Sequence, residues 1–148
     1  MSQGLKFRAA IEASAPKPLQ IPGTINAYTA LMAERVGHQA IYLSGGGVAN
    51  ASYGLPDLGM TSLNDVLEDV RRITGATDIA LLLDIDTGWG GAFNIAKTVR
   101  DMTAAGAAAA PATPPVSYTH HRDHETAMYL GCRLLLVKRG GGGGGGGW

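Results

Sequence analysis

Residues 79–91 read Ile-Ala-Leu-Leu-Leu-Asp-Ile-Asp-Thr-Gly-Trp-Gly-Gly. The first five are a compact apolar run, the pattern of a strand buried on both faces of a parallel sheet. The run ends on Asp84 and Asp86. Alternation along an extended chain sends both carboxylates to one side and Ile85 to the other. A second stretch, IYLSGGGVANASYGLPDLGM over residues 41–60, repeats the plan, with an apolar run that gives way to a glycine-rich polar turn. Polar residues at the points where strands stop and loops begin are how an α/β barrel builds a site.

The flanking sequence supplies the other elements. Gly4 to Ala13 reads as a leading helix with Leu5, Ala9 and Ala10 on one side, ended by Pro16 and Pro18. Leu19 to Gly23 reads as a short strand, with Pro22 suited to its end. Asn26 is a cap for a helix over Ala27 to Val36, with Leu31, Met32 and Val36 as its buried stripe and Gly37 as its stop. Ala40 to Leu43 is the next strand. Ser62, with Asp65 three residues on, opens a helix carrying Leu63, Val66, Leu67, Val70 and Ile73 at helical spacing, with Gly75 as its stop. Ile79 to Leu83 is the third strand. Phe93 to Ala104 is a further helix, with Ile95, Val99 and Met102 facing inward. A leading helix followed by three strand–helix units implies parallel strands joined by right-handed crossovers. A doubly wound sheet and the start of a barrel both fit that order; the polar strand ends favour the barrel. The fold class expected is therefore α/β, the first three strand–helix units of a truncated (β/α)8 TIM-type barrel. A complete barrel needs about 200 residues or more, and this chain has 148.

The pattern fails after Ala110. Ala108-Ala109-Ala110-Pro111-Ala112-Thr113-Pro114-Pro115 is not the composition of a buried central strand. Residues 140–147 are glycine throughout and are expected to be disordered. Val116 to His120 and Cys132 to Leu136 resemble translations of sequencing-adapter DNA. Residues 1–110 are thus expected to form the folded part, and 111–148 a non-native tail.

Formal net charge is zero, which gives no reason to expect a nucleic-acid or membrane-surface partner. The N-terminus lacks a signal-peptide core. A lone cysteine, Cys132, permits no internal disulfide, and a cytoplasmic location is the default.

Four groups carry the candidate chemistry. Asp84 and Asp86 repel each other unless a cation lies between them, and hard oxygen ligands in small number suit Mg²⁺; two solvated surface acids would leave the same pattern. Ser44-Gly45-Gly46-Gly47 lets backbone N–H groups approach a carboxylate or phosphate, or is a plain flexible turn. Trp89, among its glycines, is placed to wall off the barrel mouth. Asp57 is either a turn former or a group that orients a neighbouring donor or metal-bound water. The cluster His120-His121-Arg122-Asp123-His124-Glu125 and Cys132 look reactive but lie in the tail, with no scaffold around them.

The segments QIPGTINA (20–27), YLSGGGVA (42–49), GLPDLG (54–59) and DIDTGWG (84–90) together resemble the isocitrate lyase/phosphoenolpyruvate mutase superfamily. Three glycines after the serine, followed by Gly-Leu-Pro-Asp, resemble its methylisocitrate lyase branch. The resemblance implies a magnesium-dependent carbon–carbon lyase that splits 2-methylisocitrate into pyruvate and succinate. It implies Mg²⁺ at Asp84 and Asp86, substrate carboxylate at Ser44, Gly45 and Gly46, and Tyr42 and Asp57 lining the site. The partner implied is a small tricarboxylate, and relatives of full length are homotetramers that this chain is not expected to form. A phosphonopyruvate- or oxaloacetate-type lyase of the same superfamily is the alternative. The family's catalytic Cys-Gly-His loop is absent, so no catalytic residue is assigned and the chain is expected to be inactive.

Overall fold

The computed structural model describes residues 2–85 and 87–110. In chain order they form α1 (Gln3–Ser14), α2 (Ala27–Val36), β1 (Ala40–Leu43), α3 (Gly45–Tyr53), α4 (Leu63–Ala76), β2 (Ala80–Leu83) and α5 (Ala92–Ala104). β1 and β2 pair in parallel, Ala40 opposite Ala80 through Leu43 opposite Leu83.

Two further segments join the sheet through single bridges rather than as strands. Gly23 bridges Tyr42 on one side and Ala109 bridges Leu82 on the other, both parallel. The first is held by Tyr42 N–H to the Pro22 carbonyl at 2.9 Å and Thr24 N–H to the Tyr42 carbonyl at 2.8 Å. Ladder bonding therefore begins at the carbonyl of Pro22, which has no N–H to give, and the strand expected over 19–23 shrinks to the single bridge at its last residue. The second is held by Ala108 N–H to the Leu81 carbonyl at 2.8 Å and Leu83 N–H to the Ala109 carbonyl at 2.9 Å. Ala107 and Ala109 are buried; as expected no strand forms over the described part of this segment, but Ala109 does bridge the sheet edge. Small side chains fill the space that the facing layers leave.

Local signals explain the helix ends. Asn26 and Thr29 form a reciprocal capping box at α2, and Gly37 closes the helix in the left-handed conformation at φ 100°. Ser62 and Asp65 do the same at the start of α4. That helix runs through Gly75 to Ala76, so the expected glycine stop is not used; Thr77 ends it in extended backbone.

The sheet has two unlike faces. One packs Ile41, Leu43, Leu81, Leu83 and Ile85 against Ala30 and Ala33 of α2, Val48 of α3, Val66, Leu67, Val70 and Ile73 of α4, and Met102 of α5. Each large side chain buried in this way contributes about 1.5–3 kcal/mol. The other face carries Ala40, Ala80, Leu82 and Ala109, and among the described residues α1 alone adds a buried helical residue to it, Phe7. Lys6 and Gln3 of α1 both bond the Asp78 carboxylate just before β2.

Three expected stripes are rotated. In α1 the buried residues are Phe7 and Ala10. In α2 they are Ala30 and Ala33, leaving Val36 73% exposed. In α5 Thr98 and Met102 are buried, while Val99 and Phe93 face out. In α2 the smaller residues Ala30 and Ala33 face the layer beneath. No helix among the described residues is long and apolar enough to cross a membrane. The tail from Pro111, with His120 to Glu125 and Cys132, lies outside the described residues.

Candidate functional site

Of the expected site residues, Tyr42, Ser44, Gly45, Gly46 and Asp84 lie at the ends of β1 and β2, and Asp57 stands beside Gly46. Ser44 follows β1 directly and is the N-cap of α3; its hydroxyl accepts from Gly47 N–H at 3.4 Å. The three glycines are therefore the first turn of a helix rather than a flexible loop. First-turn N–H groups have no partner within their own helix, and the helix end carries partial positive charge. Gly45 and Gly46 are buried.

Asp57 leans on this turn. A β-carbon added to Gly46 would stand 2.7 Å from Asp57 Cγ, so a side chain there would displace the carboxylate. Asp57 itself is exposed. It sits in the nine-residue stretch 54–62 between α3 and α4, which has no regular structure.

Asp84 follows β2. Its N–H donates to the Leu43 carbonyl at 3.0 Å, extending the parallel pairing by one residue. Tyr42 Oη donates to Asp84 Oδ2 at 3.0 Å. Tyr42 packs on the α1-side cluster, so this pair marks the polar end of the thinner face. Asp86 lies outside the described residues. Among the described residues, no group of three or more His, Cys, Asp or Glu stands together as a metal cage.

Trp89 does not wall off the mouth as expected. Its ring packs on the helix-covered core, and its indole N–H donates to the Thr61 carbonyl at 2.9 Å. Asp69 also escaped sequence reading. It is 3% exposed, accepts from Ser52 Oγ of α3 at 2.5 Å and pairs with Arg72 at 3.0 Å. It ties α3, and with it the Ser44 turn, to α4. An acid on the apolar stripe of α4, between Val66 and Ile73, was the signal available.

Over residues 7–111 the sequence matches the phosphoenolpyruvate phosphomutase family. The chain belongs to this family. It is 68% identical over 109 residues to the 2-methylisocitrate lyase of Vibrio cholerae serotype O1, covering 74% of this chain and 35% of that protein. With the 2-methylisocitrate lyase of Shewanella oneidensis it shares 68% identity over 108 residues, 73% of this chain and 36% of the relative. The chain thus spans about a third of the length of the curated relatives it matches. Among solved structures it is similar to a phosphonopyruvate hydrolase in complex with oxalate and Mg²⁺, with TM-score 0.67 and 28% identity over 91% of this chain and 48% of the other. The phosphoenolpyruvate phosphomutase family membership and this structural likeness agree with the α/β class and with opening units of a barrel.

Proposed function

We propose that this chain carries the carboxylate- and magnesium-binding part of a 2-methylisocitrate lyase. Such an enzyme cleaves a carbon–carbon bond of 2-methylisocitrate to give pyruvate and succinate, a step of propionate breakdown through the 2-methylcitrate cycle. The 68% identity over 109 residues carries this assignment. It far exceeds the 28% shared with phosphonopyruvate hydrolase, which disfavours a phosphonopyruvate-type activity.

Each site residue then has a task. Ser44, Gly45 and Gly46 offer the hydroxyl and N–H groups of a helix N-terminus to a substrate carboxylate, where backbone donors and helix dipole act together. Asp84, with Asp86, holds Mg²⁺; the donors are all hard oxygens and few, as suits an ion that keeps several waters. Bound there, Mg²⁺ supplies Lewis-acid stabilisation of charge developing on a substrate oxygen. Tyr42 orients the Asp84 carboxylate through its hydroxyl and lines the proposed site. Asp57, resting on Gly46, orients metal-bound water or a neighbouring donor. Among the described residues no proton donor that would complete the reaction is assigned, and the chain is expected to bind without turnover.

The test is a chimaera that joins residues 1–110 to the remaining two-thirds of the Vibrio cholerae relative. It is expected to release pyruvate from 2-methylisocitrate, and Asp84→Ala is expected to lower the rate by at least about a hundredfold. A folded chimaera without pyruvate release, or one indifferent to Asp84→Ala, would overturn the assignment. The 148-residue chain alone is expected to release none.

A further inference from the structure

The segment after β2 is held in an unusual backbone. Gly88, Trp89 and Gly90 have φ of 75°, 57° and 145° in succession. A non-glycine residue in the left-handed region is uncommon, and such conformations persist where the surroundings over-determine them, often at functional sites. Here the surroundings do so. Gly88 N–H donates to the Ile85 carbonyl at 2.7 Å. The buried Thr98 hydroxyl of α5 donates to the Gly88 carbonyl at 3.0 Å. A side chain at Gly88 would meet Ile95 Cβ at 3.3 Å, and one at Gly90 would meet Asn94 Cγ at 2.9 Å. The segment is clamped onto α5 with its backbone fixed, and this aims the Trp89 indole N–H at the Thr61 carbonyl.

That single bond crosses from a rigid segment to a loosely held one. Between α3 and α4, the backbone bonds of residues 54–61 are local: Gly54 and Leu55 donate to Asn50 and Ala49, and Leu58 to Pro56. Leu58 is 76% exposed and Met60 57%. Asp57 sits in this stretch.

The geometry points to Trp89 as a positioning residue that sets where the Asp57 carboxylate stands relative to Asp84. It ties the Asp57 stretch to the segment following Asp84, so that Asp57 rests on Gly46 beside the strand ends. The consequence for Mg²⁺ rests on the function proposed above; the clamp itself does not.

Trp89→Phe keeps an aromatic ring against the core but removes the indole N–H along with the second ring, and Thr98→Val releases the other anchor while keeping shape. Amide hydrogen exchange on the full chain reads the clamp. Trp89→Phe is expected to speed exchange over residues 55–62, leave α1 and α2 unchanged, and keep the urea midpoint near that of the parent. Calorimetry with MgCl₂ reads the positioning role, with the dissociation constant expected to rise about tenfold in Trp89→Phe. Thr98→Val is expected to speed exchange over 87–91 and raise the same constant. Unchanged exchange over 55–62 in Trp89→Phe overturns the clamp, whatever Mg²⁺ does. Faster exchange with an unchanged Mg²⁺ constant overturns the positioning role. A parent chain that binds no Mg²⁺ also overturns the positioning role and counts against the proposed function, while the exchange result still decides the clamp.

Discussion

The two faces of the sheet are built differently although they share the same strands. Leu81 and Leu83 point into a core lined by α2, α3, α4 and α5, whereas Ala80 and Leu82 share their face with Ala40 and Ala109 and, among the described helices, meet one buried residue, Phe7 of α1. The first face is a finished core. The second is thinner, with Leu19, Ile21 and Tyr42 only partly buried against it, and ends in the Tyr42–Asp84 pair. One face holds the fold together; the other carries the polar pair on which the proposed site rests.

Neighbouring residues on one strand give the sharpest way to break this contrast. Leu83→Ala is expected to destabilise by about 4 kcal/mol and Leu82→Ala by about 2 kcal/mol, from the range for buried leucine truncation and its dependence on how far the site collapses. Urea denaturation of the two variants checks this, and equal losses would show that the faces are equivalent. Next in size is Asp69→Ala, which leaves Ser52 and Arg72 without their shared acceptor. A loss of about 1–3 kcal/mol is expected, together with faster exchange in α3 but not in α1.

Ser62→Ala removes the cap of α4, the main helix of the finished core, at an expected cost of about 1 kcal/mol in the same assay. The smallest effect is on pH. Hydrogen bonds from the backbone and hydroxyl of Ser62 hold Asp65 below its ordinary value of 3.8. On the α1 side, bonds from Lys6 and then Gln3 do the same for Asp78. A carboxylate depressed on folding stabilises the fold fully above its ordinary value, and that contribution is lost as pH falls through the lowered one. The urea midpoint is therefore expected to be flat above pH about 5 and to fall below about 4. Lys6→Met should reduce that fall and loosen α1 alone.

Where burial is two-sided, the sequence was easy to read. Ala40 to Leu43 has the expected bounds, Ala80 to Leu83 starts one residue later than expected, and the Asn26, Gly37 and Ser62 caps stand where expected. α3 was hidden because three glycines are poor helix formers; they are tolerated where Ser44 caps the turn and Gly46 must admit Asp57. The bridge at Ala109 was hidden because alanine carries little signal of either period. The α2 stripe was misplaced because large apolar residues marked the outer side, while Ala30 and Ala33 made the close contact. For the site, residue types at strand ends pointed to Ser44 and Asp84, and the family resemblance added Tyr42. The Trp89–Thr61 and Ser52–Asp69 bonds join residues 28 and 17 positions apart, and no local pattern encodes such pairings.

Magnesium calorimetry on the 148-residue chain, parent against Asp84→Ala, tests the half-site most directly. One Mg²⁺ bound per chain, abolished by Asp84→Ala with the urea midpoint unchanged, is the predicted result. Equal binding in both proteins, or none in a folded parent, would contradict it.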